Sequence, residues 1–163
     1  MIQKSKNKIR KIYIQKESQQ EKEFDCLNCG EIVFYSPFIG TAHRNHCPFC
    51  LWSKHVDLKT GDRKAKCLEA MKPIGLTFKQ EGLNKYGLKR RGELMIIHQC
   101  LKCGKISINR LAGDDDEKMI LQILEKSQNL PKEKIKELKK QGIEIITSGQ
   151  KQEVLNQLFG EKL

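Results

Sequence analysis

The sequence has no long apolar run. Nowhere do the eighteen or so consecutive apolar residues of a transmembrane helix occur, so no membrane span is expected. Its first residues, MIQKSKNKIRKIYIQKES, carry lysines but no apolar core, so a secretory signal is not expected and a cytoplasmic location is. There is no Gly-rich phosphate loop, no Ser/His/Asp arrangement and no cysteine nucleophile with a convincing base, which removes the motif-borne enzyme classes. Acid is missing from the first sixteen residues, where Lys4, Lys6, Lys8, Arg10, Lys11 and Lys16 stand alone.

What is present is a basic chain of 163 residues with seven cysteines, room for one ordinary domain or two very small ones. At 38% hydrophobic and 31% charged it has the composition of a globular protein. In a reducing compartment seven cysteines point to metal ligands rather than to disulfides. The net charge of +11 predicts an anionic partner, most simply nucleic acid.

The charge is unevenly placed. Residues 17–113 hold sixteen basic and ten acidic residues, and residues 114–163 hold nine and ten. All the cysteines and histidines lie in the middle segment. The expected organisation is a basic arm (1–23), a Cys/His-rich module (24–113) and a mainly helical extension (114–163). The arm could lay Lys11–Gln15 down as an edge strand and follow phosphates with its cations. In the extension, Asp114, Asp115 and Asp116 precede the helical face Met119, Ile120, Ile123 and Leu124. A second helix starts near Pro131 and ends near Gly142, and Ile143–Thr147 reads as a short strand. Val154, Leu155, Leu158 and Phe159 mark a final amphipathic stretch, packed on the module or open to a partner.

Three pairs share one spacing: Cys26/Cys29, Cys47/Cys50 and Cys100/Cys103. Two intervening residues let a tight turn aim both sulfurs at one ion, and zinc takes such tetrahedra of thiolate and imidazole. Gly30 and Gly104 follow two of the pairs, where the turn needs a left-handed residue. Residues 25–32 also align without gaps with residues 99–106, five of eight positions being identical. Strand-like Ile32–Tyr35 and Ile106–Ile108 follow these two knuckles, and Leu94–Ile97 leads into the later one, the hairpin unit of a zinc ribbon. The fold class expected is therefore a small, metal-stabilised, β-rich module of tandem zinc-ribbon hairpins, with two zinc ions supplying much of its folding energy. Cys26, Cys29, Cys47 and Cys50 form one expected site. Cys100 and Cys103 need two more ligands; Cys67 and His55 are the assignment, with His46 and His98 as runners-up.

The string Arg44-Asn45-His46-Cys47-Pro48 then stands out. With Cys50-Leu51, Ser53, His55-Val56-Asp57, Gly61-Asp62-Arg63, Cys67, Pro73-Ile74-Gly75, His98, Cys100, Cys103-Gly104, Asn109-Arg110 and Asp114-Asp115, it resembles the RNHCP domain family from about Phe24 to Asp116. The resemblance implies a zinc-ribbon-like fold and a bound metal, in a family without an established activity.

Other residues admit two readings. Arg44, Asn45, Asn109 and Arg110 either hydrogen-bond around the knuckles or contact nucleic acid. Asp57 could orient His55, and Asp62-Arg63 forms a turn with a local ion pair. Phe49 and Trp52 pack in the core or stack on bases. Three functions are expected in order. The first is a zinc-dependent RNA-binding protein, associated with the ribosome or another ribonucleoprotein, using the arm together with Arg44, Lys85, Lys89, Arg90, Arg91 and Arg110. The second is a protein-interaction adaptor. The third is a metal-dependent hydrolase or nuclease with His43, His46, His98, Asp57 or Asp62 as base.

Overall fold

The computed structural model describes residues 23–34, 38–40 and 44–160, without the side chain of Arg91. The expected arm with its Lys11–Gln15 strand, its cations Lys4, Lys6, Lys8, Arg10 and Lys11, and the candidate base His43 lie outside the described residues.

Branched and apolar residues dominate residues 70–78 and 94–97, and each run extends as a long strand. Strand β4 (Ala70–Leu83) pairs antiparallel with β5 (Lys89–Cys100), and the two meet in a turn over Asn84–Leu88. The register pairs Pro73 with His98 and Gly75 with Ile97, leaving Ile74 as an extra residue. A bulge there suits Pro73, which has no N–H to give a ladder. Strand β6 (Ile106–Arg110) flanks β5, and the two-residue β3 (Ser53–Lys54) flanks β4, giving the order β3-β4-β5-β6. A separate two-stranded ribbon joins β1 (Phe24–Asp25) to β2 (Ile32–Val33).

The Leu94–Ile97 run of β5 is continuously apolar because both faces of the sheet are covered there. On one face Leu51, Leu76, Phe78, Leu94 and Ile96 pack with Ile120, Ile123 and Leu124 of helix α1 (Glu117–Ser127) and with Val154 of α3 (Lys151–Phe159). On the other, Ile97 and Ile106 pack with Leu138 of α2 (Lys132–Lys140). The sheet and the C-terminal helices thus share their cores. Asp116 caps α1 by accepting the Met119 N–H at 2.8 Å. Helix α2 follows Pro131 and closes before Gly142, whose φ of 75° is the left-handed C-terminal stop.

Three expectations, two of them about the extension, are corrected. Residues Ile143–Thr147 make only an isolated bridge, between Thr77 and Ile145. The segment is held instead by Ile146 N–H to Leu76 O (2.9 Å) and Thr77 Oγ1 to Glu144 O (2.7 Å), before a 3-10 turn begins at Ser148. Phe159 is exposed at the end of α3, so the buried face there is Val154, with Leu158 packed beside it. Phe49 is also exposed, at 58%, because it sits at the tip of its knuckle; Trp52 packs against the cluster of Cys26, Val33 and Cys47.

Candidate metal centres

Each C-x2-C pair folds into the same turn. Cys26 N–H bonds to Glu31 O and Gly30 N–H to Cys26 O; Cys100 N–H bonds to Lys105 O and Gly104 N–H to Cys100 O. The third pair repeats this with Cys47 N–H to Trp52 O and Leu51 N–H to Cys47 O. Gly30 and Gly104 take φ of 76° and 72° at the closing position, and Leu51 takes 60° at the equivalent one. A leucine in that region carries about 1–2 kcal/mol of steric strain. Its fully buried side chain, wedged in the sheet–helix core, holds it there.

The turns bring two groups of four donors together. Cys26, Cys29, Cys47 and Cys50 form one, and His55, Cys67, Cys100 and Cys103 the other, with all donor atoms in each within 4.8 Å of one another. Cys26 Sγ lies 3.5 Å from Cys50 Sγ, Cys29 Sγ 3.6 Å from Cys47 Sγ, and Cys67 Sγ 3.7 Å from Cys100 Sγ. A tetrahedron with metal–sulfur bonds of about 2.3 Å has edges of about 3.8 Å, whereas a disulfide is about 2.05 Å long. All seven cysteines are free thiols. In the second group His55 Nδ1 stands 3.3 Å from Cys103 Sγ, so the imidazole meets the cluster through that nitrogen. Each group can hold one metal ion.

The electrostatics fit a cation. Burial opposes charge on Cys26, yet the N–H groups of Cys29 and Asn28 outweigh it and lower the thiol below its usual range. Cys100 behaves alike: burial is outweighed by the Cys103 and Lys102 N–H groups, and its pKa falls to about 6. Cys47 and Cys50 are pushed up, by burial first and then by neighbouring sulfurs. Four thiols this close cannot all ionise alone; a divalent ion inverts that balance and deprotonates them.

The runners-up are elsewhere. His98 is fully buried, gives Nε2–H to Leu51 O at 2.7 Å, and accepts at Nδ1 from Asn109 Nδ2 at 2.8 Å. Burial, with His46 nearby, depresses its pKa to about 3. His46 Nε2 lies 2.8 Å from Asp115 Oδ2. Asp57 does not orient His55, whose Nε2 has no partner; its carboxylate takes the N–H groups of Gly61 and Arg63. Asp62 accepts from Leu58, Lys59 and Lys64, and the ion pair of Arg63 is with Asp57 at 3.9 Å, not with Asp62.

Arg44, expected among the nucleic-acid contacts, is corrected too. Its side chain is 1% exposed and spent on Asp114 and Asp115, each at 2.7 Å, and on His46 O. Its neighbours act with it. Asn45 O accepts from Ser53 Oγ and Lys54 N–H, and Pro48 O accepts the Asp116 N–H. The string Arg44–Pro48 is therefore a clasp between the second knuckle and the start of α1. Sequence reasoning missed Asp115, which binds Arg44, His46 and the Ala112 N–H. Three consecutive aspartates, where one suffices for a cap, were the available signal.

The remaining cations lie on the surface. Lys85 and Tyr86 occupy the β4–β5 turn, with Lys85 Nζ 5.0 Å from the Tyr86 ring centre. Lys89 pairs with Glu144 at 3.3 Å and Arg110 with Glu93 at 2.8 Å, while Arg90 is exposed. Among the described residues no helix is long and apolar enough to cross a membrane.

Fold and centres define a small β-rich protein with two four-donor clusters that can each hold a metal ion, and with C-terminal helices. The RNHCP domain matches residues 21–121, and the chain belongs to that family. The comparison with curated proteins matched nothing, and that with solved structures matched nothing either.

Proposed function

We propose that this protein is a cytoplasmic, zinc-binding RNA-binding protein, in which two zinc ions build tandem ribbons that support a basic surface for the RNA of the ribosome or another ribonucleoprotein particle. The observation that carries the reading is the β4–β5 hairpin, whose turn presents Tyr86, 74% exposed, between Lys85 and Lys89 with Arg90 beside them. Cations that neutralise phosphates supply affinity, and an exposed ring offers a face for base stacking. Arg91 and the cations of residues 1–16 add charge to the same chain.

Four protein donors at each cluster close the tetrahedron and leave no position for a catalytic water, which argues against the hydrolase reading. His46 and His98 are buried and hydrogen-bonded, and Asp57 and Asp62 hold loop N–H groups. The adaptor reading draws on the exposed apolar residues Leu27, Ile32, Phe34 and Phe49 around the first cluster.

The test is binding of zinc-loaded protein to labelled RNA across a salt series. The expected result is a steep loss of affinity between about 50 and 200 mM salt, and weaker binding by Tyr86→Ala with an unchanged salt slope. Salt-insensitive or undetectable binding would overturn the reading.

A further inference from the structure

The near-neutral charge of residues 114–163 conceals a basic face. In α2 each residue turns by about 100°, so Lys132, Lys136, Lys139 and Lys140 fall within an arc of about 100°. No acid lies inside that arc: Glu133 and Glu137 project beyond it, and Glu137 is paired with Lys134 at 2.5 Å. Lys132, Lys136, Lys139 and Lys140 are all exposed, while Leu138 on the opposite side is buried.

This face adjoins the β4–β5 hairpin. Ile135 and Lys139 line a cavity of about 550 Å³ with Glu144 and Ile145. Glu144 and Ile145 also line a second cavity, of about 210 Å³, whose other walls include Lys89 and Arg90. The segment between is fixed to β4 by the Thr77–Glu144 bond and the Thr77–Ile145 bridge. Cations of the hairpin and of α2 thus flank one short strip, on which Glu144 is the acid, paired with exposed Lys89.

We propose that the lysine face of α2 and the β4–β5 hairpin form one continuous track for the phosphodiester backbone of single-stranded RNA, crossing the Glu144–Ile145 strip. The inference rests on the RNA-binding reading and adds to it a second contact region, in a part of the chain beyond the family match at residue 121. Lysines on a polar helix face act as point charges, so the contact follows backbone rather than base sequence. The absence of apolar residues within the arc disfavours insertion into a lipid surface.

The experiment uses full-length, zinc-loaded protein and a fluorescent oligouridylate strand, titrated at several salt concentrations. The triple variant Lys132→Gln/Lys136→Gln/Lys139→Gln should bind more weakly, with a log–log salt slope shallower by about 2, because each single-strand phosphate contact contributes about 0.7. Glu144→Gln should bind more tightly, by up to about fivefold, the scale of one exposed ion pair. Thermal midpoints close to the parent's establish that the folds are intact. If the parent protein does not bind, the RNA reading itself fails. If it binds and the triple variant matches it in affinity and slope, the α2 track fails while the hairpin reading stands. Unchanged or weaker binding by Glu144→Gln overturns the continuity of the track. Capture of the parent by anionic vesicles but not by the strand would replace RNA with a membrane surface and overturn the proposal.

Discussion

The imidazole of His98, on β5, donates to the carbonyl of Leu51, the residue that closes the second knuckle, across 2.7 Å. One bond thereby couples the first metal cluster to the strand that ends at Cys100 of the second. Asn109 holds the other ring nitrogen and fixes the Nε2–H tautomer. Asn109→Ala should leave a buried acceptor unpaired and cost about 1–3 kcal/mol in chemical denaturation of the metal-loaded protein.

That same histidine predicts a pH dependence. Its folded pKa is depressed to about 3 while the unfolded chain titrates near 6.5, so unfolding takes up a proton below neutrality. The stabilisation is complete above about pH 6.5 and is lost as pH falls toward 3. The parent should therefore lose up to about 1.4 kcal/mol more per pH unit than His98→Gln between about pH 5.5 and about pH 4, and about half that near pH 6.5. Parallel denaturation curves, with metal content measured at each pH, check it.

The two clusters should load independently. Metal analysis of the parent is expected to find two equivalents of zinc. Cys29→Ser and Cys103→Ser should each retain about one, and strong chelation should abolish the cooperative unfolding transition, because thiolate clusters of this kind supply folding energy. Two ions retained by either variant would contradict the assignment.

Asp114 and Asp115 both touch Arg44, yet they should differ sharply on mutation. Asp115 has no exposed side-chain area and serves Arg44, His46 and the Ala112 N–H, whereas the Asp114 side chain is 46% exposed. Asp115→Asn should cost about 3 kcal/mol, because it removes the buried counter-charge of Arg44 and leaves the guanidinium to the half-exposed Asp114. Asp114→Asn should cost no more than about 1 kcal/mol. Denaturant midpoints of the two variants give the comparison.

Leu51 sets two effects against each other. Leu51→Gly relieves strain of about 1–2 kcal/mol but empties a fully buried leucine site, whose loss costs about 2–5 kcal/mol. The net expectation is destabilisation, smaller than for Leu124→Ala in the same core, because the glycine relieves the turn. Thermal melts decide it.

Spacing alone reached the metal donors, because a knuckle is a local object: Cys26 to Gly30 and Cys100 to Gly104 fold through bonds within five residues. The grouping of Cys67 and His55 with the last pair was reached by counting, and the loop that delivers them closes through His55 N–H to Glu69 O and Leu68 N–H to His55 O. Long-range polar partners were not legible. Arg44 and Asp115 lie seventy-one residues apart, and no periodicity announces their meeting. Nor could sequence show that Leu51 stands where the other turns have glycine, since only tertiary packing stabilises that backbone. The apolar run of β5 was visible, but not that helices would cover both its faces.

The clasp between Arg44 and Asp115 also bears on the order in which the molecule takes shape. A nascent chain exposes the four sulfurs of its first centre as soon as Cys50 has emerged, yet the carboxylate that neutralises Arg44 comes sixty-five residues later. During that interval the early knuckles can capture an ion without being seated on anything. Metal uptake at the first centre should therefore be able to precede docking, and a competing chelator or a protease should meet its easiest target in that interval.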